Sequence, residues 1–281
     1  MKKKIKEVIK KLYKILKRPE MIVLPGQIAF FLILSIVPTI SLLSYIASLF
    51  HLSMDFVYNF ITKMFNEDIA SLFISKGFGN GVSTSIVITM IIAYYIASKA
   101  ASSIIVTSNT LYKIEQKPFI YRKIKSMFMI FIIIMLLVFM LIVPVFGNKI
   151  LELIKYVNGG AEITTHIQVL LHILKSPVYW LVTFFVIKTI FTMAPDEPIP
   201  SSKMNKGAIF TTFAWVLISA IYSFYVTHYA RYSIYYGSLA TIVVLMIWFY
   251  LLSIALTVGI AINSEEINYQ KKEEFKEDNS K

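Results

Sequence analysis

The chain has 281 residues and a formal net charge of +12, and 57% of its residues are hydrophobic while only 16% are charged. Soluble domains carry about 45–50% apolar and about 25% charged residues, so this composition excludes an ordinary soluble globular domain. The chain contains no cysteine, which excludes a disulfide framework, a thiol nucleophile and a cysteine-ligated zinc site.

The apolar residues are grouped in runs that approach or exceed the roughly 20 residues that a helix needs to cross a bilayer. A helix satisfies its own backbone hydrogen bonds in lipid, whereas barrel strands alternate in polarity over about ten residues, a pattern that these runs lack. The sequence therefore predicts an all-α fold, a polytopic integral membrane bundle of six transmembrane helices with amphipathic surface helices. The predicted spans are residues 24–50, 84–108, 126–147, 177–194, 207–228 and 237–262.

Three regions follow from these spans. Residues 1–20 form a basic amphipathic cytoplasmic arm, which is typical of a helix lying in the membrane interface and which Pro19 is expected to end. The apolar residues of the arm recur at helical spacing: Ile5, Val8, Ile9, Leu12 and Leu16. Residues 21–264 are the predicted six-helix membrane domain. Residues 265–281 are a charged cytoplasmic tail, and the polar residues from Asn263 onwards are expected to be frayed.

The positions of the basic residues predict the orientation, because cytoplasmic segments beside spans are enriched in Lys and Arg. With the N-terminus inside, 20 of the 28 Lys and Arg fall in the cytoplasmic segments and six in the outer segments. Both termini are therefore predicted to be cytoplasmic, in a multi-pass protein of the plasma membrane. The outer segments hold amphipathic stretches near residues 54–65 and 150–174, which are typical of surface helices or of a lid over a substrate path.

Two lysines fall inside predicted spans. Lys99 lies well inside the second span, where a lysine costs about 2.5–3.5 kcal/mol on insertion scales, so such residues face a bundle interior or a wet cavity. The alternative is a side chain that reaches towards the cytoplasmic face near Asn109. Lys188 lies closer to the cytoplasmic end of its span, where this alternative is the simpler interpretation.

Small polar residues and prolines add to this pattern. Ser98 and Ser102 flank Lys99 among alanines at four-residue spacing, which predicts either tight helix packing or a polar permeation path. In the first span Pro38 frees a backbone carbonyl near Ser35, so this segment either lines an interior or forms a simple kink.

The outer end of the fifth span is aromatic and basic, in the segment FYVTHYARYSIYYG over residues 224–237. Aromatic residues are typical anchors at the membrane interface. The functional alternative is a cationic mouth that meets a lipid headgroup. The candidate substrate path therefore comprises Ser35, Pro38, Ser98, Lys99, Ser102, Asn109, Lys188, His228 and Arg231.

Catalytic patterns are not found. The four histidines are scattered, and the chain has no His-x-x-x-His pair, paired carboxylates or Gly-x-Ser-x-Gly elbow. The sequence therefore predicts no enzymatic activity, no catalytic residue, no metal and no cofactor. The positive charge lies beside the spans, which indicates membrane lipids with anionic headgroups at the cytoplasmic face as partners, and not nucleic acid. The oligomeric state is not indicated.

Five segments of the chain resemble the YihY/BrkB family of membrane proteins. They are QIAFFLILSIVPTI (27–40), SNTLYKIEQKPF (108–119), MAPDEPIP (193–200), KGAIFTTFAW (206–215) and YYGSLATIVVLMIWFYLLSIALTVGIAIN (235–263). The family positions within them are Asn109, Tyr112, Pro195, Gly207, Tyr236, Gly237, Trp248, Gly259 and Asn263. Where the family usually has an acidic residue between the last glycine and asparagine, this chain has Ala261, so a role of that carboxylate does not carry over.

The resemblance covers about residues 20–265 and implies six spans, in agreement with the apolar runs. It implies little about chemistry, because members of the family were once labelled ribonuclease BN and others have been linked to serum resistance and to lipid or envelope transport.

Two functions are consistent with the sequence. The first is transport or flipping of a lipid or an amphiphilic envelope component, which the intramembrane lysine, the small polar residues and the prolines indicate. The second is a non-catalytic membrane scaffold or lipid-sensing protein whose basic arm recruits partners or binds anionic lipid. A ribonuclease is disfavoured, because the clustered metal ligands of such a hydrolase are missing and the basic segments face the membrane.

Overall fold

The computed structural model of the protein describes residues 12–49, 58, 84–136, 180–228 and 240–278. Within these residues the regular structure is helical and contains no strand, as the sequence predicts. The helices are α1 (12–16), α2 (Glu20–Leu49), α3 (Thr84–Tyr112), α4 (119–136), α5 (Trp180–Met193), α6 (Asn205–His228) and α7 (Ala240–Asp278), with a 3₁₀ helix over Ser201–Met204 before α6.

Three of the described helices are long and apolar enough to cross a membrane, over Ile91–Tyr112, Ser201–Val226 and Ile242–Ile267. Glu20–Ser35 and Trp180–Met193 form shorter apolar helices. Large apolar side chains lie exposed on these helices, which is the surface that lipid solvates in a membrane protein. The helices are those of an integral membrane protein, and the count of six spans stays a prediction. The predicted outer surface helices lie outside the described residues.

The chain divides into two compact units. The first comprises Met1–Ile36, Tyr95–Ile130 and Ile187–Lys281, and the second comprises Val37–Tyr94 and Phe131–Val186. Every contact described below lies within the first unit. The described residues of the second unit are parts of α2, α3, α4 and α5, together with Tyr58.

The end of the N-terminal arm packs against the protein. Helix α1 stops at residue 16, and a turn that contains Pro19 separates it from α2, as predicted. Ile15 is fully buried, whereas Leu16, which the predicted apolar stripe includes, is 49% exposed. Arg18 forms an ion pair with Glu265 of α7. Residues 1–11, with the rest of the stripe, lie outside the described residues.

Two helices extend beyond the bounds that the sequence predicts. Helix α4 begins at residue 119, seven residues before the predicted span, directly after Pro118, whose missing N–H is not needed at a helix start. Lys123 and Lys125, which belong to a cytoplasmic segment in the predicted orientation, lie on this helix, and both ammonium groups have polar partners within the fold. Helix α7 continues to Asp278, so the expected fraying from Asn263 is wrong for these residues.

Helices α6 and α7 are antiparallel and are joined by side-chain hydrogen bonds about one turn apart. Tyr222 Oη donates to the Val244 carbonyl at 2.9 Å, and the Trp215 indole N–H donates to the Leu252 carbonyl at 2.9 Å. Between these two bonds, the Trp248 indole N–H donates to Ser219 Oγ at 3.2 Å. Thr211 Oγ1 donates to the Ala255 carbonyl at 3.4 Å closer to the start of α6. In lipid, where apolar burial does not drive association, such bonds and close packing hold helices together.

Helices α6 and α7 approach each other closely at two glycines. A Cβ atom on Gly207 would collide with the Gly259 carbonyl oxygen and with the Asn263 side chain. A Cβ on Gly259 would collide with Thr211 Oγ1 and would lie 3.0 Å from a ring atom of Phe191. Both positions therefore require glycine because a backbone or packed side chain occupies the place of the Cβ.

Candidate functional site

Helix α3 has one polar face and one small apolar face. The polar face carries residues at three- and four-residue spacing, which places them on one side of the helix: Tyr95, Ser98, Lys99, Ser102, Val106 and Asn109. The opposite side is buried and mostly alanine: Ala93, Ala97, Ala100, Ala101 and Ile104. The two interpretations of the second span, tight helix packing and a polar path, thus concern different faces. The alanines are packed, and Ser98, Lys99 and Ser102 lie on the other side.

Two lysines converge on one aromatic ring of this polar face. Lys99 Nζ lies 5.3 Å from the centroid of the Tyr95 ring, and Lys123 Nζ of α4 lies 3.4 Å from the same centroid. Lys123 also donates to Ser98 Oγ at 2.5 Å and to the Tyr95 carbonyl at 3.2 Å. Within the described part of the chain, no carboxylate forms an ion pair with either lysine. We call Tyr95, Ser98, Lys99 and Lys123 the lysine pair site.

The electrostatic surroundings of Lys123 disfavour its charge. Burial, and then the neighbouring positive charge of Lys99, lower the pKa of Lys123 to about 8. Lys123 precedes the predicted third span, and both lysines are half-buried. An anion placed beside the two ammonium groups would reverse this effect, because it favours the charged form of a neighbouring base.

A second polar cluster joins the end of α3 to the turn after α5. Asn109 Nδ2 donates to Asp196 Oδ2 at 2.6 Å, and the Asp196 backbone N–H donates to Asn109 Oδ1 at 2.9 Å. Lys125 donates to Asp196 Oδ1 at 2.7 Å and to the carbonyls of Ala194 and Pro195 at 2.9 and 2.6 Å. The ammonium group therefore uses all three hydrogens and caps the carboxyl end of α5. We call Asn109, Lys125 and Asp196 the carboxylate junction.

The Asp196 carboxylate is held in its charged form. Burial raises its pKa, but hydrogen bonds from Lys125 and Asn109 and the positive charge of Lys125 outweigh burial, so the pKa lies below the ordinary value of an aspartate. The Asp196 side chain is fully buried and that of Lys125 is 16% exposed. Among the described residues the polar groups of this cluster have partners within the fold, an arrangement that stabilises structure.

A third polar contact holds the start of α6. Asn263 Oδ1 accepts from the Gly207 backbone N–H at 2.7 Å, and its Nδ2 donates to the Met204 carbonyl at 3.2 Å. The first N–H groups of a helix lack partners within the helix, so Asn263 caps α6 from α7. Tyr112 is buried next to this contact, with its hydroxyl 3.3 Å from Met204 Sδ. Asn263, Gly207, Gly259 and Tyr112 of the family motif are thereby brought together.

Four buried hydroxyls have no hydrogen-bond partner among the described residues. Ser103, Thr107 and Ser108 lie on α3 and Ser253 lies on α7, each at most 2% exposed. A hydroxyl left without a partner in a buried place costs about 1–3 kcal/mol. These oxygens are groups that water or a polar ligand would satisfy.

Three further candidate residues lie on α2 and α5. Ser35 is buried and donates to the Leu32 carbonyl of its own helix at 3.0 Å, and Pro38 is half-buried in α2. Lys188 is half-buried in α5, and its carbonyl accepts from Thr192 Oγ1 at 2.8 Å. His228 is the last residue of α6. Arg231, Tyr236 and Gly237 lie outside the described residues.

Sequence reasoning missed Lys123, Lys125 and Asp196 as site residues. Lys123 lies 25 positions from Ser98, and Lys125 lies 71 positions from Asp196 along the chain, so no local spacing indicates the contacts. A signal did exist for Asp196, because it stands inside the segment MAPDEPIP that carries part of the family resemblance. In the sequence, the basic residues before the third span indicate only the orientation of the chain.

The fold and these clusters define a helical integral membrane protein with a polar helix face. The family model of virulence factor BrkB matches residues 12–281, and the chain belongs to this family. It is similar to the putative ribonuclease-like protein YfkH of Bacillus subtilis, with 28% identity over 243 residues, which is 85% of this chain and 87% of YfkH. No solved structure matches the chain.

Shorter similarities link the chain to proteins named UPF0761 membrane protein. The one from Idiomarina loihiensis is 28% identical over 108 residues, which is 36% of this chain and 37% of that protein. One from Haemophilus influenzae is 25% identical over 118 residues, or 41% of this chain and 44% of that protein. These names assign the relatives to membranes and state no reaction. The word ribonuclease-like belongs to the name of YfkH alone.

Proposed function

We propose that the protein moves a lipid or another amphiphilic envelope component across the membrane. The observation that carries this proposal is the half-exposed Lys99 on the polar face of α3, within a helix apolar enough to cross a bilayer. A charged side chain at membrane depth marks an ion or substrate pathway more often than a structural contact, because its insertion is costly. Among the described residues, its ammonium group lies over the Tyr95 ring and near the positive charge of Lys123.

The surroundings of Lys99 support the proposal. Ser98 and Ser102 lie on the same helix face as Lys99, and the buried hydroxyl of Ser103, one turn after Lys99, has no partner among the described residues. Hydroxyls at successive turns give a polar headgroup a series of alternative hydrogen-bond partners. A purely structural scaffold needs no such series.

The experiment is lipid movement in vesicles that contain the purified full-length protein. A fluorescent phospholipid is followed from one leaflet to the other, with and without an ion gradient. We expect movement with the wild-type chain and a loss of at least about tenfold with Lys99→Met, because one charged hydrogen bond is worth about 1.5–3 kcal/mol. Lys206→Met is the matched control, because this substitution removes the same charge at an exposed position. Lys206 pairs with Glu266 at 2.6 Å.

Two results contradict the proposal. If wild-type vesicles move no lipid of any headgroup class under any gradient, transport is rejected and the membrane scaffold or lipid sensor takes its place. If Lys99→Met folds and moves lipid at the wild-type rate, Lys99 is a side chain that merely reaches the interface. Thermal unfolding of each variant shows whether a loss of movement reflects a loss of fold.

A further inference from the structure

We infer that the lysine pair site binds the phosphate group of a membrane lipid, with Lys99 and Lys123 as its two cationic ligands. This inference rests on the proposed function and names the headgroup chemistry that the same site selects. It begins from the convergence of two ammonium groups on one side of α3, where both contact the Tyr95 ring.

The donors of the site exceed the acceptors that the described residues supply. Lys123 gives two of its three N–H bonds to Ser98 Oγ and the Tyr95 carbonyl. Lys99 makes no recorded hydrogen bond within the described residues, and neither lysine has a carboxylate partner there. The three N–H bonds of Lys125, by contrast, are all used, by the Asp196 carboxylate and by the carbonyls of Ala194 and Pro195. The two lysines thus retain donors for an anion with several acceptor oxygens.

Two like charges held together need a compensating anion. Lys99 and Lys123 are half-buried, where their repulsion is screened less than on an open surface. The lowered pKa of Lys123 reflects burial first and then this repulsion. A phosphate ester offers a negative charge and more than one acceptor oxygen, so a single group can accept from both ammonium ions.

The neighbouring surface of α4 indicates that the phosphate belongs to a lipid. Ile120, Ile124 and Phe128 recur at four-residue spacing on one side of α4, and they are 71%, 64% and 60% exposed. Lys123 lies next to this apolar strip in the sequence and within one turn of each of its first two residues. Cationic donors at the edge of an exposed apolar strip match a molecule with an anionic head and an acyl tail.

The test is a binding titration of the full-length protein in a neutral detergent, followed through the rise in its unfolding midpoint. The probes are dihexanoyl phosphatidylglycerol, dihexanoylglycerol, which has the same tails and no phosphate, and inorganic phosphate. We expect phosphatidylglycerol to bind at least about tenfold more tightly than either of the others, because only this probe joins the charge to the tails.

The variants locate the site. Lys99→Met and Lys123→Met should each reduce the preference for phosphatidylglycerol over dihexanoylglycerol by about tenfold, and Lys206→Met should leave it unchanged. Lys123→Arg keeps the charge and donors, so it should retain most of the preference even if Lys123→Met is unstable. A preference that persists in Lys99→Met, or that is lost equally in Lys206→Met, overturns the assignment.

Other outcomes separate this inference from the proposed function. If inorganic phosphate binds as tightly as phosphatidylglycerol, the assignment of a lipid ligand is rejected, and the ligand of the site is a soluble anion. A phosphate preference without lipid movement in vesicles supports the lysine pair site and rejects transport. Movement of lipids regardless of a phosphate group supports transport and rejects the site as a headgroup selector.

Discussion

At the scale of single residues, the hydrogen-bond partners decide which charges are structural and which are available. Lys125 and Lys123 are two positions apart on α4, yet their roles differ. Lys125 has a buried carboxylate and two helix-end carbonyls, so its charge is fully compensated. Lys123 has a hydroxyl and one carbonyl, with a second lysine nearby. The difference lies in the partner elements and not in the residue type.

Asp196 should make the free energy of unfolding decrease at low pH. Its pKa in the folded protein lies below the unfolded value of about 3.9, so its contribution is fully present above that value and is lost as pH falls through the folded pKa. Asp196→Asn should lower stability at pH 7 by about 2 kcal/mol, because Lys125 loses a charged partner. It should also flatten the loss of stability below about pH 4.

Thermal unfolding in detergent from pH 3 to pH 8 measures both effects. Glu197→Gln is the matched control, since Glu197 is the next residue in the same turn and is exposed. An Asp196→Asn curve that parallels the wild-type curve at every pH would show that other carboxylates govern the acid transition.

At the scale of helices, the pairing of α6 and α7 depends on the absence of side chains at one crossing. Gly207→Ala should destabilise the protein by about 1–3 kcal/mol, because the added methyl collides with the Gly259 carbonyl and the Asn263 side chain. The matched control is Gly26→Ala in α2, where a Cβ meets nothing within 4 Å. There the substitution should stabilise by about 0.5–1 kcal/mol, since glycine is unfavourable within a helix.

The measurement is the unfolding midpoint of Gly207→Ala and of Gly26→Ala in the same detergent. A fall for Gly26→Ala equal to that for Gly207→Ala would mean that the close crossing of α6 and α7 does not limit stability.

Much of the helical architecture could be predicted from the sequence, because apolar length and Pro positions are local signals. The start of α4 could not, since the partners of Lys123 and Lys125 lie on other elements, far away along the chain. The candidate site divides in the same way. The depth of one predicted span is enough to select Lys99, Ser98 and Ser102. Lys123 joins the lysine pair site only through tertiary packing, which has no local signal in the sequence.

At the scale of the whole molecule, the distribution of charge predicts the topology. Reporter fusions after residue 20, near 120, near 200 and at the C-terminus should read as cytoplasmic, because Lys and Arg are concentrated in these segments. Fusions near residues 65 and 160 should read as external. An external C-terminus would exclude an even number of spans, and with it the count of six.

The hydrogen bonds between α6 and α7 also bear on biosynthesis. During translation α6 is complete before α7 exists, and until then the Trp215 indole, the Tyr222 hydroxyl and the Gly207 N–H lack the acceptors that α7 supplies. Lipid offers no substitute for those acceptors. We therefore expect α6 to wait beside the insertion machinery and to enter the bilayer together with α7 as a hairpin. Chains truncated between the two helices should then be prominent targets of membrane proteases.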